Sequence, residues 1–176
     1  DYSFVSTDNL ENDFEGIDYK PGENRTTNWT KYNIKRIIKT YDNYTSAYAE
    51  IQTSFGLLNV YGTIIGVFWG KDNRFKSDFE YQISDFKKLK GNICIAGDLN
   101  ITLSGYTYPS HAARDRLNKI FSELSVNCLT ASIASNVSQI VISENFINKR
   151  KIIIETWNED MGNKFYDDFF DKRMNN

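Results

Sequence analysis

The sequence predicts a single α/β domain in which strands and helices form layers around one core. Residues 46–53 alternate between apolar and polar side chains, and an almost wholly apolar stretch over 57–68 follows a Ser-Phe-Gly turn. Apolar residues then recur at three- and four-residue steps over 75–89, which is the spacing of an amphipathic helix. A hairpin, a helix and a further buried strand, in that order, are typical of layered α/β folds.

The first 45 residues carry weaker signals. Residues 1–30 are polar and rich in turn formers, and only 2–5 indicates a strand. Residues 28–45 are basic and aromatic, and the three isoleucines within them fit a helix or a strand equally well. We interpret this segment as a solvated basic face beside a core stripe. If it binds a nucleic acid instead, Lys35 and Arg36 are the residues that we expect to contact phosphate.

The later elements are predicted more sharply. The helix over 75–89 should stop at Gly91, and a short buried strand over 92–96 should follow it. Ser110 can cap a second helix, whose buried stripe is predicted to contain Leu117, Ile120, Phe121 and Leu124. The last strands are expected over 139–142 and 152–157.

Composition limits the classes of protein that remain. The chain has 176 residues, 40% of them hydrophobic and 15% aromatic, as in a folded globular domain. Its net charge of -2 offers no overall basic footprint for nucleic acid. No apolar run approaches the roughly 20 residues that a membrane-spanning helix needs, so we expect no membrane span and a cytoplasmic protein. Cys94 and Cys128 are expected to be buried free thiols.

One stretch indicates chemistry. Residues 93–100 read Ile-Cys-Ile-Ala-Gly-Asp-Leu-Asn, an apolar strand that ends in two polar side chains. Side chains two residues apart on a strand lie on the same side, so Asp98 and Asn100 should point together from the strand end. The same pattern also fits a simple turn in which Asp98 caps the backbone.

In this order of elements the sequence resembles the endonuclease/exonuclease/phosphatase superfamily, which contains DNase I. Residues 58–63 resemble a strand of that family, and 95–100 are similar to its hallmark Gly-Asp-x-Asn motif. Residues 114–117 resemble the helix that follows the motif, and 138–143 resemble the family strand Asp-His-Ile-x-x-Ser.

The resemblance covers roughly residues 47–155 of one domain that we expect to span 1–176. It implies a DNase I-like two-layered β-sandwich flanked by helices, incomplete at the N-terminus and the C-terminus.

The resemblance also implies a reaction. The family hydrolyses phosphodiesters with Mg²⁺, a hard cation that prefers oxygen ligands and neutralises phosphoryl charge. It implies that Asp98 orients the attacking water and that Asn100 binds the scissile phosphate. Ser138 and Gln139 stand where the family has Asp-His, and we take them as candidate phosphate-binding residues. No metal ligand is identified, so Mg²⁺ is an expectation from the family alone.

The sequence departs from the family pattern at the active site. Ile64 stands at the usual histidine position, and Ser138 and Gln139 cannot take the roles of an Asp-His pair. The final Ser-Asp-His has no counterpart, and no strand-end Gln-Glu for the metal is found. The single histidine, His111, lies where a surface or capping residue is expected.

Three functions therefore remain open. The first is a divergent member of this family with weak or lost catalysis, because catalytic groups that act as a unit fail together. The second is an active metal-dependent nuclease or phosphatase whose missing residues lie upstream. The third is a non-catalytic module that binds nucleic acid or protein.

The missing strands also affect the expected packing of the sandwich. Without the family's first strands a core face or sheet edge needs cover, so we expect a remodelled N-terminus, a dimer or a protein partner there. The aromatic tail after Trp157 is suited to docking on such a surface.

Overall fold

A computed structural model describes residues 1–9, 22–66, 73–148 and 151–154. The elements, in chain order, are β1 (Ser3–Ser6), β2 (Thr27–Thr30), β3 (Asn33–Ile38), β4 (Ser46–Thr53), β5 (Gly56–Ile64), α1 (Asn73–Phe86), β6 (Asn92–Asp98), α2 (His111–Glu123), β7 (Val126–Cys128), β8 (Ser138–Ser143) and α3 (Glu144–Ile147). The described strands form a six-stranded mixed sheet, in the order β3-β4-β5-β6-β8-β7, and a two-stranded sheet of β1 and β2.

The six-stranded sheet brings the ends of β5, β6 and β8 together. β4 and β5 form the predicted antiparallel hairpin through the turn at 53–56. β5 then pairs in parallel with β6, so a crossover that contains α1 connects them. β8 runs antiparallel to β6 on its other side. The carboxyl ends of β5 and β6 and the first residue of β8 therefore share one edge of the sheet.

The two long helices cover one face of this sheet. The helical spacing places Phe75, Phe79, Ile83 and Phe86 on the buried side of α1. Helix α2 begins after Ser110, whose hydroxyl accepts a hydrogen bond from the Ala113 amide at 3.2 Å. The resulting core also takes in sheet and loop side chains, among them Tyr61, Ile95, Leu99, Ile101, Leu117, Ile120, Phe121 and Val141.

A second, smaller layer covers part of the opposite face. Val5 of β1 packs in a cluster with Ala47, Ala49 and Ile51 of β4. Asn28 of β2 donates a hydrogen bond from its side chain to the Ala47 carbonyl at 2.9 Å. β1 and β2 thus cover the β3–β5 side of the core. Farther along the same face, Phe146 of α3 packs with Leu58, Cys94 and Ile142.

Most predicted elements are confirmed. The strand predicted over 57–68 ends at Ile64 within its described part, and three other elements also differ. The segment with two interpretations forms a strand, β3, because it pairs antiparallel with β4. Helix α1 ends at Phe86, and Leu89 reaches the same core from the turn that follows. The strand expected over 152–157 is wrong over its described part, since 151–154 have no regular structure and 155–157 lie outside the described residues.

Two further expectations concern single features. Cys94 and Cys128 are free thiols, as predicted, although Cys128 is only half-buried. The aromatic tail that was expected to dock lies outside the described residues. Within the described part of the chain, no helix has the length and apolarity to cross a membrane.

Candidate functional site

The polar residues of the Gly-Asp-Leu-Asn motif lie at the edge where β5, β6 and β8 meet. Asp98 is in register with Ile64 of β5 on one side and with Ser138 of β8 on the other. Residues in register point to the same face of a sheet, so these three side chains are neighbours. We call the group formed by Ile64, Asp98, Asn100 and Ser138 the Asp98 site.

Gly97 allows the strands to approach each other at this edge. Its φ is +141°, a conformation that side chains rarely adopt. A Cβ atom at this position would lie 1.9 Å from the carbonyl oxygen of Thr63, inside the backbone of the neighbouring strand. The Ile65 amide donates to the Asp98 carbonyl at 2.8 Å, and this bond links the ends of β5 and β6. Glycine at this position therefore has a steric cause.

The Asp98 carboxylate caps the turn that follows it. Its Oδ1 accepts a hydrogen bond from the Asn100 amide at 3.0 Å, which is the backbone-capping arrangement considered as the alternative to a site. The side chain is half-buried, and this burial raises the pKa of the carboxyl, while the bond from Asn100 opposes the rise.

Asn100 links the motif to the end of β5. Its φ is +51°, in the left-handed region that asparagine tolerates better than most residues. Its Nδ2 donates to the Ile65 carbonyl at 2.8 Å. An amide nitrogen carries two hydrogens, so this bond leaves one donor for a ligand oxygen. Asn100 is thus a structural link between the motif and the end of β5, and its contact with phosphate remains a prediction.

Ser138 is held in place by Asn136. The Ser138 amide donates to Asn136 Oδ1 at 3.1 Å, and Asn136 Nδ2 donates back to the Ser138 carbonyl. Asn136 itself is buried. These bonds fix the first residue of β8 directly across from Asp98, so the structure brings Ser138 together with Asp98. Sequence reasoning missed Asn136, although Asn two residues before a strand start is a known turn signal.

Gln139 is placed on the opposite face of the sheet from Asp98. Only 1% of it is exposed. Its Nε2 donates to the carbonyls of Asn136 at 2.8 Å and Ile101 at 3.2 Å, and its Oε1 accepts from the Thr130 hydroxyl at 2.8 Å. This geometry favours a structural role, in which Gln139 joins the loop after β6 to the loop before β8. Its predicted phosphate contact is not supported by that position.

Lys35 and Arg36 are not brought to the Asp98 site. They belong to β3, an edge strand separated from β6 by two others, which corresponds to about 14 Å across the sheet. Arg36 binds both carboxylate oxygens of Glu50, at 2.7 and 3.2 Å. Phosphate binding by these two residues remains a prediction, and it would involve a different part of the surface.

Arg114 is a residue beside the site whose role the sequence did not indicate. From α2 its Nε donates to the Thr102 carbonyl at 2.6 Å, and an NH2 nitrogen donates to the Thr102 hydroxyl at 2.9 Å. The same guanidinium reaches the carbonyls of Gly105 and Tyr106. It thereby holds the loop that follows Asn100 in one conformation. His111, the first residue of α2, is exposed.

The charge at the Asp98 site is small. Its only carboxylate is Asp98, accompanied by the Asn100 amide oxygen and the Ser138 hydroxyl. Mg²⁺ binds oxygen ligands, often through one or two carboxylates with waters and substrate phosphate completing its shell. In the described ranges, no three His, Cys, Asp or Glu side chains form a group that could hold a metal ion. The residues present therefore fit Mg²⁺ only where phosphate supplies further negative oxygens.

Solved structures share this arrangement of strands and helices. A 3'-5' exonuclease (NExo) from Neisseria meningitidis matches with a TM-score of 0.51 and 12% identity, over 66% of this chain and 61% of that one. An endonuclease/exonuclease/phosphatase from Beutenbergia cavernae matches with a TM-score of 0.52 and 11% identity, over 81% of this chain and 46% of that one. A beta toxin variant from Staphylococcus aureus with bound magnesium ions matches more loosely, with a TM-score of 0.41 and 18% identity, over 73% of this chain and 54% of that one.

The first two matches define the fold. The chain has the DNase I-like fold of the endonuclease/exonuclease/phosphatase proteins, which confirms the resemblance at the level of architecture. It spans about half the length of the structures that it matches. No family model matches the sequence, and no curated protein does.

Proposed function

We propose that this chain is a divergent endonuclease/exonuclease/phosphatase-fold protein that holds a phosphate ester at the Asp98 site and hydrolyses it weakly or not at all. One observation carries the proposal: Asp98 and Ser138 are register partners where three strands meet, the Asn100 amide is bonded to the Asp98 carboxylate, and Ile64 takes the position beside Asp98. The group offers hydrogen bonds to a phosphate, but Ile64 offers none. The ancestral reaction of this proposal is Mg²⁺-dependent phosphodiester hydrolysis.

The chemistry of the site explains why hydrolysis would be weak. Attack on phosphorus requires a water that loses a proton and positive charge that stabilises the developing oxyanion. Burial raises the pKa of Asp98, so its carboxylate is a better proton acceptor than an exposed aspartate. A bound Mg²⁺ would supply the missing positive charge. Asn100 Nδ2 and the Ser138 hydroxyl are neutral donors, which orient a phosphate more than they neutralise it.

The test separates binding from turnover. Inorganic phosphate is titrated into isotopically labelled protein, and we expect shifts of the Asn100 side-chain amide and the Ser138 backbone amide. The Asn100→Ala variant should weaken phosphate binding several-fold, whereas Asn118→Ala on the exposed side of α2 should not change it. Identical binding in the two variants would refute the assignment of phosphate to this site.

Turnover is measured on bis(p-nitrophenyl) phosphate and on plasmid DNA with Mg²⁺ or Mn²⁺. We expect rates close to the buffer blank. Metal-dependent cleavage that disappears in Asp98→Asn would establish an active nuclease or phosphatase, which is the second candidate function. That outcome would favour catalytic residues supplied by a part of the protein outside the described ranges.

The proposal also covers the extent of the domain, its location, its ligand and its partners. We infer one domain over residues 1–176 in the cytoplasm, with nucleic acid or another phosphodiester as ligand. A second copy or a protein partner would cover the half-buried side chains of Ala96 and Ile140, which lie on the Asp98 face of β6 and β8. Size-exclusion chromatography with light scattering tests this point, and a monomer at all concentrations would contradict a dimer.

A further inference from the structure

The outer face of the two-stranded sheet carries exposed aromatic rings. Tyr2, Phe4 and Trp29 are exposed by 59%, 53% and 64%, and Lys31 is exposed beside them. We call these four residues the aromatic plate. The opposite face of the same sheet packs on the core through Val5. The plate therefore lies on the face that points away from the core.

The plate consists of one cross-strand pair and one pair that lies just beyond the strand ends. Phe4 and Trp29 are register partners, with ring centroids 4.8 Å apart and planes inclined by 41°. One step along the sheet, the Lys31 ammonium lies 5.4 Å from the centre of the Tyr2 ring. Residues two apart on a strand are separated by about 7 Å, so the pairs lie side by side on one surface. Three aromatic rings and one cation thus lie next to one another on this surface.

The surrounding chain is basic although the protein is acidic. Residues 24–41 contain five basic residues, Arg25, Lys31, Lys35, Arg36 and Lys39, and no Asp or Glu. The net charge of the chain is -2, so the remaining residues carry -7. Lys31, Lys35 and Lys39 are exposed on β3 and its two flanking turns. Lys31 belongs to the plate, and Lys35 lies on β3, the strand that β1 contacts, whereas Arg36 is paired with Glu50. These lysines give the plate a local complement to a polyanion that the overall composition conceals.

We propose that the aromatic plate binds single-stranded nucleic acid, with unpaired bases against Trp29 and Phe4 and backbone phosphates beside Lys31 and the lysines of the β3 region. Stacking on exposed rings needs bases whose faces are free, which a duplex does not offer. The lysines favour an anionic ligand over an apolar protein surface. This site is separate from the Asp98 site and does not depend on hydrolysis there.

Fluorescence anisotropy of a labelled twelve-residue oligothymidylate, in EDTA and at several salt concentrations, tests the proposal. The Trp29→Thr variant keeps a strand-forming residue but removes the ring, and it should raise the Kd about tenfold. Lys31→Gln should lower the slope of log affinity against log salt by about 0.7, the contribution of one phosphate contact. Lys119→Gln, at an exposed position of α2, is the matched control. It should change neither the Kd nor the salt slope. Thermal melting shows that each variant is folded.

The controls distinguish the sources of binding. A twelve-unit abasic deoxyribose phosphate should bind less tightly than the oligothymidylate, because it has charge without rings to stack. Equal binding of the two oligomers, or an unchanged Kd in folded Trp29→Thr, would overturn the proposal. Phosphatidylserine vesicles that bind while the oligothymidylate does not would overturn it as well, and would assign the plate to an anionic lipid surface.

Discussion

At the scale of single residues, the close approach of β6 to β5 depends on the absence of a side chain at Gly97. Its φ of +141° and the 1.9 Å approach of a Cβ to the Thr63 carbonyl act together. We expect Gly97→Ala to lower the free energy of unfolding by about 3 kcal/mol, because a strained backbone and a backbone clash both have to be relieved. Urea unfolding measures this change.

The matched control for Gly97 is Gly91. It also has a positive φ, +73°, but a Cβ atom added at Gly91 would meet no other part of the chain within 4 Å. Gly91→Ala should therefore cost only the conformational strain, about 1–2 kcal/mol. Equal losses at the two positions would show that the contact with β5 is not as close as described.

Asp98 gives a prediction about pH. Burial raises the pKa of its carboxyl in the folded state, so the folded protein binds a proton more readily than the unfolded chain. Wild-type stability should therefore fall as pH rises from the ordinary pKa of 3.8 through the raised value. Asp98→Asn keeps an oxygen that can accept from the Asn100 amide but loses the charge.

The expected result is a melting temperature of Asp98→Asn that exceeds that of the wild type at neutral pH. The difference should shrink as pH falls and vanish below the ordinary aspartate range. Asp115→Asn, at an exposed position of α2, is the control. A difference in melting temperature that widens on acidification would have the wrong sign for a raised pKa.

At the scale of elements, Arg114 connects α2 to the loop after the motif. It is the shared donor to Thr102 and to the carbonyls of Gly105 and Tyr106. We expect Arg114→Lys to speed hydrogen exchange at the Thr102 and Tyr108 amides about tenfold, because lysine cannot reproduce the planar fork. Both amides are bonded across this loop.

Arg116→Lys is the control on the same helix. Its guanidinium binds the Glu80 carboxylate at 2.8 and 3.0 Å, on the side of α2 that faces α1. Exchange in the loop after Asn100 should be unaffected by this change. Faster loop exchange in both variants would mean that the whole helix loosens. The conformation of the loop would then not depend on Arg114 specifically.

At the scale of the whole molecule, the two layers meet where Gly62 faces Asn28. A Cβ on Gly62 would lie 2.2 Å from Asn28 Oδ1, and Asn28 also bonds to the Ala47 carbonyl. Gly62→Ala should displace the two-stranded sheet and lower the free energy of unfolding by about 1–2 kcal/mol. Exchange of the β1 and β2 amides should rise at the same time.

A double-mutant cycle identifies the cause. Adding Asn28→Ala to Gly62→Ala removes the clashing amide, so the double variant should be more stable than the sum of the two single losses predicts. Strict additivity would contradict direct contact between the layers at this point.

Much of the fold could be predicted because the signals are local. The alternation in β4, the helical spacing of α1 and the Ser110 cap each depend on residues that are neighbours in sequence. The 34–38 segment could not be assigned, since its isoleucines fit two periods and pairing with β4 decided between them. The family resemblance succeeded for the fold because it rested on several elements in the right order.

The candidate site could be predicted only in part. Adjacent residues of a strand face opposite sides, so Ser138 and Gln139 could not both face the motif, yet sequence alone did not say which one would. The register of β8 against β6 places Ser138 across from Asp98 and buries Gln139. Lys35 and Arg36 were proposed from their charge, and the sheet order separates them from Asp98.

The sequence by itself determined the strand before the Asp98 and Asn100 motif, and the order of elements around it, because periodicity and turn chemistry act over a few residues. The tertiary structure alone decided which distant side chains meet there. Ser138 lies at the Asp98 site, Gln139 links two loops, and Arg36 binds Glu50. These contacts join residues far apart in the chain, and only strand register and layer packing specify them.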